Sequence, residues 1–148
     1  MNGIPITTMR DVWNNALHKW PEKTAAIWLE RAYTYAEIDR LARNLASRLT
    51  ADFALNKGDR VAILSPNSLF FYVAYWAIMR IGAVLVPINT RLRPDVMAYV
   101  IDNAEPACLI ADAAQAKPLE ALLTRLASMP KLITVGFERT DAVPFRSA

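Results

Sequence analysis

Short apolar runs alternate with longer segments of helical period from residue 60 onward. The short runs have the length and the continuous apolar character of strands buried in a parallel sheet. They cover residues 60–64, 83–86, 107–111 and 132–135. Between them, the spacing of apolar residues predicts helices over residues 69–81, 95–103 and 113–128. Strands that alternate with helices indicate right-handed crossovers, so the pattern predicts an α/β fold with a mostly parallel sheet flanked by helices.

The first part of the chain predicts an amphipathic helix followed by a hairpin. The helix covers residues 8–20, with Thr8 as its N-cap. Its apolar stripe consists of Met9, Val12, Trp13, Ala16, Leu17 and Trp20. A strand is predicted over residues 24–30, a turn at Arg31 and Ala32, and a return strand from Tyr33.

A second amphipathic helix begins after Thr34, which forms a capping-box pattern with Glu37. Its apolar stripe consists of Ile38, Leu41, Ala42, Leu45, Ala46 and Leu49. The polar residues between them are expected to face away from the core; they are Asp39, Arg40, Arg43, Ser47 and Arg48. Further along, either Asn67 or Ser68 can cap the helix over residues 69–81. That helix is apolar nearly all round, so it should be buried on more than one side.

Residues 1–135 are predicted to form one α/β subdomain, and residues 136–148, which have no clear period, a linker or a truncated end. The first 20 residues contain charges and no long apolar run, so they do not resemble a signal peptide. The most apolar helix is too short for the roughly 20 residues that span a bilayer. We therefore expect a protein without a transmembrane segment.

The composition and the distribution of charge exclude several classes of function. The 148 residues are 54% hydrophobic and carry a net charge of +3, and their arginines are scattered rather than clustered as in a nucleic-acid-binding stripe. The mean hydropathy of +0.16 indicates apolar surface that could support self-association. One cysteine, Cys108, and one histidine, His18, allow neither an internal disulfide nor a multi-ligand zinc site. We expect a reducing, cytoplasmic location and no nucleic-acid partner.

Candidate chemistry is sparse. The four glycines are more than twenty residues apart, which excludes the glycine cluster of a P-loop or a dinucleotide fingerprint. His18 lies on the polar side of the first helix and is expected to be solvated, and Cys108 lies in an apolar strand and is expected to be a buried structural thiol. The aromatic residues of the two apolar helices are expected to be packing residues; they are Trp13, Trp20, Tyr72 and Trp76.

Arg91 and Arg93 are the strongest candidates for a binding site. They follow a predicted strand at its carboxyl end, where open α/β sheets bind ligands. Two guanidinium groups at this position could hold a phosphate or a carboxylate. The competing interpretation is that they pair with surface acids such as Asp95. Asn67 follows the preceding strand in the same way, although helix capping also explains it.

Five segments of the chain form a set with a characteristic order and spacing. They are Trp20-Pro21-Glu22-Lys23-Thr24-Ala25-Ala26-Ile27, Tyr33-Thr34-Tyr35-Ala36-Glu37-Ile38, Gly58-Asp59-Arg60-Val61-Ala62-Ile63, Pro66-Asn67-Ser68 and Gly82-Ala83-Val84-Leu85-Val86-Pro87-Ile88-Asn89-Thr90-Arg91-Leu92. In order and spacing they resemble AMP-forming acyl-CoA synthetases, and the resemblance covers about residues 8–135. The Asn89-Thr90-Arg91-Leu92 ending is similar to that of fatty-acyl and aryl acid–CoA ligases.

The resemblance implies the N-terminal part of the large domain of an acyl-adenylate-forming enzyme. Such a parent would use ATP and Mg²⁺ to convert a carboxylic acid to an acyl-adenylate and would then transfer the acyl group to CoA. The family's phosphate loop, its acidic residues near Mg²⁺ and its catalytic lysine have no counterpart in this chain. The piece alone is therefore expected to be inactive and to bind none of these cofactors tightly. By resemblance, only Arg91 is implied in a contact, with the nucleotide phosphate of CoA.

Two alternatives remain open from the sequence. The chain could be a stand-alone, non-catalytic α/β module that binds a protein partner or an acyl ligand, since it has surplus apolar surface and no catalytic set. It could also belong to a ligase that passes its acyl group to a carrier protein. The identity of the carboxylic acid is not encoded in these residues.

Overall fold

The computed structural model describes residues 8–145 and divides the chain into two compact units. We call residues 1–56 and 68–82 the helical unit, and residues 57–67 and 83–148 the sheet unit. Residues 1–7 and 146–148, which belong to the N-terminal segment and the tail discussed above, lie outside the described residues.

The helical unit contains three helices and a hairpin. The elements are α1 (Met9–Lys19), β1 (Thr24–Trp28), β2 (Arg31–Thr34), α2 (Tyr35–Ala51) and α3 (Leu69–Ile81). Thr8 and Thr34 cap α1 and α2 through the reciprocal hydrogen bonds of a capping box, and the predicted helix over residues 69–81 is confirmed with both of its bounds. Every residue of α3 is at least half-buried, as its apolar character all round predicted.

Side-chain burial corrects two predictions in this unit. Of the α1 stripe only Trp13 is buried, and Trp20 is 51% exposed at the C-cap, so Trp20 is not a core residue. Asp39 was expected to face away from the core but is 3% exposed. It lies three residues before Ala42 and seven before Ala46, at the edge of the α2 stripe, so a small rotation of the helix suffices to bury it.

The hairpin turn also lies two residues earlier than predicted. Leu29 and Glu30 form it with φ values of 47° and 64°, and Trp28 pairs with Arg31 across the two strands. Positive φ at both central residues matches the twist of a two-residue hairpin, which usually selects Asn-Gly. Because neither residue is Gly or Asn, nothing in the residue types of Leu29 and Glu30 predicts this turn.

The sheet unit contains five parallel strands in the order β4-β3-β5-β6-β7. Its elements are β3 (Arg60–Leu64), β4 (Val84–Pro87), α4 (Pro94–Ala104), β5 (Cys108–Asp112), a 3-10 turn (Ala113–Gln115), α5 (Ala116–Leu123), β6 (Lys131–Val135) and β7 (Val143–Phe145). The parallel α/β fold predicted from the alternating pattern is therefore confirmed.

One face of this sheet forms a core with α4 and α5. Alternate strand residues such as Ala62, Leu109 and Leu132 pack there against Met97 and Leu119. The strand residues that point to the opposite face are also buried; they are Val61, Ile63, Cys108, Ile110 and Ile133. The sequences of the three inner strands, β3, β5 and β6, are continuous apolar runs because both faces of these strands are buried.

Three elements of the sheet unit differ from their predictions. β4 is an edge strand whose Val84 is 48% exposed, so it is not buried on both faces. The helix predicted over residues 113–128 begins as a 3-10 turn and ends at Leu123. The segment from Gly136, which has no readable period, contributes the three-residue strand β7. The domain boundary at residue 135 stays a prediction.

Candidate functional site

The candidate site lies at the carboxyl edge of the parallel sheet. Ile63 of β3 pairs with Pro87 of β4, and Leu64 pairs with Ala111 of β5, so these strands end at the same edge. Loops 65–67 and 88–93 both leave from it. Open α/β sheets bind ligands outside such strand ends, because the loops there can present several side chains to one position.

The loop after β4 is held in place at both ends. The backbone N–H of Ile88 donates to the carbonyl of Ile63 over 2.9 Å and extends the strand ladder, and Ile88 is buried. At the other end, Leu92 packs against the core of the sheet unit. Between them, the Asn89 side chain accepts a hydrogen bond of 2.9 Å from the Arg91 backbone N–H, and the Leu92 N–H donates to the Asn89 carbonyl over 3.1 Å. This Asx-type turn presents Arg91 at the loop tip.

Arg91 and Arg93 have different surroundings, although they are two residues apart. Arg93 donates two hydrogen bonds to the Asp95 carboxylate, of 3.1 Å from Nε and 2.7 Å from Nη2. These bonds hold the pKa of Asp95 below its ordinary value. The alternative interpretation, pairing with a surface acid, is thus confirmed for Arg93. Arg91 is exposed and, within residues 8–145, makes no side-chain ion pair, so its guanidinium remains available to an anion.

The loop after β3 contributes a second exposed polar residue. Ser68, not Asn67, caps α3, since its hydroxyl accepts a hydrogen bond of 3.1 Å from the Phe71 N–H. The explanation of Asn67 by helix capping is therefore wrong, and its side chain is exposed in the loop. Ser65 is buried and donates to the Pro66 carbonyl over 3.0 Å, which gives it a structural role.

Two polar groups near this edge were not singled out from the sequence. Asp112 ends β5 and accepts a hydrogen bond of 2.9 Å from the Ala114 N–H, which starts the 3-10 turn. Thr134 is fully buried in β6, and its hydroxyl has no hydrogen-bond partner among the described residues. Thr134 lay inside an apolar run, where a hydroxyl gives no functional signal.

The remaining candidates are structural. Cys108 is fully buried, and burial raises the pKa of its thiol to about 12, so the thiolate that nucleophilic chemistry needs is disfavoured. His18 is exposed near the end of α1, as expected. Trp13 packs against Trp76 at a ring-centroid distance of 4.3 Å, against Tyr35 at 5.2 Å and against Tyr72 at 6.3 Å, which confirms packing for Trp13, Tyr72 and Trp76.

A cleft of about 560 Å³ lies at the opposite, amino edge of the sheet unit. Its two acidic residues already have partners: Asp102 accepts hydrogen bonds of 3.0 and 3.2 Å from the Ala127 N–H, and Glu105 pairs with Arg60 at 3.5 Å. Among the described residues, no group of three or more His, Cys, Asp or Glu could hold a metal ion. In the same part of the chain, no helix has the length and apolar character needed to cross a membrane.

Comparison with known proteins identifies the class. The profile of the AMP-binding enzyme family matches residues 13–146, so the chain belongs to that family. It is 38% identical to the long-chain-fatty-acid–CoA ligase FadD13 of Mycobacterium tuberculosis over 60% of its own length and 18% of the ligase. It is 34% identical to the 3-hydroxybenzoate–CoA/4-hydroxybenzoate–CoA ligase of Thauera aromatica over 79% of its own length and 22% of that enzyme.

Solved structures show the same fold. The N-terminal domain of FACL13 from Mycobacterium tuberculosis superposes with a TM-score of 0.78 at 29% identity, over 87% of this chain and 34% of that one. The N-terminal subdomain of Klebsiella oxytoca NpsA, in complex with 3-hydroxyanthranilyl-AMSN, gives a TM-score of 0.74 at 26% identity, over 88% and 31%. The chain spans about a fifth of the length of the curated relatives that it matches.

Proposed function

We propose that this chain is the N-terminal scaffold of an ATP-dependent acid–CoA ligase that acts on a fatty-acyl or aryl carboxylic acid. In the proposed reaction, a carboxylate oxygen bonds to the α-phosphorus of ATP and pyrophosphate leaves. The CoA sulfur then bonds to the acyl carbon, its proton is lost, and AMP leaves. The observation that carries this proposal is the family match over residues 13–146, and the CoA ligases among the relatives support the choice of acceptor.

In this proposal the described residues supply structure rather than catalysis. The parallel strands fix the loops at the carboxyl edge, and no described cluster of acids is suited to holding Mg²⁺. ATP and Mg²⁺ would therefore be bound by parts of the parent enzyme outside this chain. The proposal includes the inactivity of residues 1–148 alone.

The test begins with the coding sequence beyond Ala148. A glycine-rich phosphate loop within tens of residues, followed by acid-dependent exchange of pyrophosphate into ATP by the protein of the full reading frame, would support the ligase. Residues 1–148 alone should give no exchange with the same acids. Acyl-adenylate formation by this piece, or a stop codon directly after it, would contradict the proposal and favour a binding module.

We assign Arg91 the contact with an anionic phosphate of CoA. Its free guanidinium at a fixed loop tip supports this role, since guanidinium groups bind phosphate oxygens in a bidentate manner. In the parent ligase, Arg91→Ala should raise KM for CoA about tenfold, the loss of one charge-assisted contact, and leave adenylate formation unchanged. Arg93→Ala is the matched control, since Arg93 is already paired with Asp95. Equal effects of the two substitutions would contradict the assignment.

A separate measurement decides whether the parent enzyme transfers the acyl group to CoA or to a carrier protein. A carrier-protein acceptor would give adenylate formation without CoA-dependent release of AMP, whereas the proposed ligase would release AMP only when CoA is added. The cytoplasmic location, the absence of a nucleic-acid partner and self-association through apolar surface stay predictions.

A further inference from the structure

The tip of the β1–β2 hairpin is an apolar protrusion. Ile27, Trp28 and Leu29 are 73%, 37% and 82% exposed. They form the only run of three consecutive exposed large apolar residues within residues 8–142, where side-chain exposure is described. Scattered single apolar residues on a surface need no explanation, but a contiguous set at a protruding turn indicates a contact with something outside the chain.

Folding alone does not explain Leu29. Its φ of 47° lies in the left-handed region, which disfavours a residue with a branched apolar side chain. Its side chain also gains little from burial, because most of it faces solvent. Asn would suit both the backbone and the exposure better. A residue that is unfavourable on both counts is consistent with selection for binding rather than for stability.

The size and shape of the tip favour a lipid surface over a protein. Three side chains expose on the order of 400 Å², about half of the ~800 Å² that each partner contributes to a stable protein interface. A convex tip of two short strands also needs a matching pocket in a folded partner. A bilayer is fluid and accepts a convex apolar shape without a preformed pocket.

Aromatic and cationic side chains lie along the same hairpin and at its base. The Arg31 guanidinium lies over the Tyr33 ring at 4.5 Å. At the base, the ammonium groups of Lys19 and Lys23 lie 5.8 and 5.4 Å from the exposed Trp20 ring. Neither lysine forms an ion pair with any residue the structure describes, so both can approach anionic headgroups. Tyr, Trp and basic residues are those that favour the headgroup level of a membrane.

From this arrangement we infer that the hairpin tip inserts into the surface of a lipid bilayer that contains anionic lipids. Ile27, Trp28 and Leu29 enter the boundary between headgroups and acyl chains, while Trp20, Lys19 and Lys23 contact the headgroups. Glu30 shares the turn with Leu29, and because a carboxylate is costly in hydrocarbon, it limits insertion to a shallow depth. The inference concerns the chain's own surface and does not depend on the proposed ligase activity.

The test is co-sedimentation of the 148-residue chain with vesicles of equal parts phosphatidylcholine and phosphatidylglycerol. The chain should pellet with these vesicles. Leu29→Asn should weaken partitioning about tenfold by removing one inserted side chain, whereas its melting temperature should not fall. Glu30→Gln, in the same turn, should strengthen partitioning about fivefold by removing one negative charge at the surface.

Tyr99→Asn is the matched control, since Tyr99 is 71% exposed on α4 and belongs to the sheet unit, not to the hairpin. It should not change partitioning. The inference is overturned if the wild-type chain stays in solution, or if Leu29→Asn and Tyr99→Asn weaken partitioning equally. A dimer that Leu29→Asn converts to a monomer, with no partitioning to vesicles, would overturn it in favour of a second copy of this chain.

Discussion

The two units of this chain build their interiors by different physical means. The sheet unit buries alternating apolar residues on both faces of its inner strands, and its buried polar residues, Ser65 and Thr134, are uncharged. The helical unit buries Asp39, the only buried charged side chain among residues 8–142. The interior of the sheet unit depends on the volume and shape of its side chains, so we expect it to tolerate volume-conserving substitutions. The interior of the helical unit depends on one carboxylate and its hydrogen-bond donors, so we expect it to tolerate few substitutions at those residues.

Asp39 connects all three helices of its unit. It accepts a hydrogen bond of 3.0 Å from Trp13 Nε1 on α1, contacts Arg43 Nε at 3.1 Å on α2, and pairs with Arg80 on α3. Trp13 in turn packs against Trp76 of α3. The buried carboxylate is therefore itself paired with three donors, which is the condition under which a buried charge is tolerated.

The largest effect is expected from the centre of the sheet. Leu109 is fully buried in β5, with β3 and β6 on either side. Leu109→Ala should lower the free energy of unfolding by about 3–4 kcal/mol, because it loses transfer free energy and leaves a cavity. Leu109→Met should cost less than about 1.5 kcal/mol, since it conserves volume. Urea denaturation measures both. Equal losses would mean that this core depends on more than volume.

The next effect tests the polar interior. Asp39→Ala should cost about 3 kcal/mol, because Trp13 Nε1 and Arg80 lose their buried partner. Asp39→Asn should recover only part of this loss, since the amide keeps an acceptor but not the charge. Asp52→Ala is the matched control: Asp52 pairs with Arg48 at 3.3 Å in an exposed setting and should cost less than about 1 kcal/mol. If both alanine variants lost the same stability, Asp39 would not be the organising group of this unit.

The sequence predicted the inner strands of the sheet unit better than it predicted the buried polar contacts of the helical unit. β3 was predicted with both bounds, and β5 and β6 within one residue. A strand that is buried on both faces is a continuous apolar run, which can be recognised in the sequence without knowledge of the neighbouring strands. The position of Asp39 depends on donors that lie 26 residues before it and 41 residues after it. Such a partnership is decided by packing between helices, which a stripe within one helix does not encode.

Only those contacts of the candidate site that join residues close together in the sequence could be predicted. The pairing of Arg93 with Asp95 follows from two residues of spacing, and it was foreseen. The capping by Ser68 instead of Asn67 depends on the backbone angles where the loop meets α3, since either side chain is a good cap. The availability of Arg91 follows from the turn that Asn89 closes, which is a detail of the loop and not of its composition.

An effect of alkaline pH, smaller within any one unit of pH than the two above, belongs to the sheet unit. Burial raises the pKa of the Cys108 thiol from its ordinary value of 9.0 to about 12. Between these values the unfolded chain releases the thiol proton and the folded chain keeps it, so rising pH favours unfolding. This stabilising contribution is present below pH 9 and is lost between pH 9 and 12, at up to about 1.4 kcal/mol per pH unit.

Comparison of the wild-type chain with Cys108→Ala isolates this contribution from other alkaline titrations. The difference between their free energies of unfolding should be constant below pH 9 and should shrink above it. Thiol-specific labelling should also be slow in the folded chain and fast in urea. Rapid labelling of the folded chain at neutral pH would show that the thiol is accessible, contrary to its burial in β5.

The smallest effect contrasts an exposed ion pair with the buried one at Asp39. Arg93 is 81% and Asp95 50% exposed, and although their contact is bidentate, solvent screens it. Arg93→Ala should therefore change the free energy of unfolding by no more than about 0.5 kcal/mol, and Arg91→Ala, which breaks no side-chain pair among the described residues, by less still. If either variant instead lost 2 kcal/mol or more, as expected only of a desolvated pair, the loop at the carboxyl edge would be a stabilising element. In that case Arg91 would contribute to the stability of the fold and not only to ligand binding.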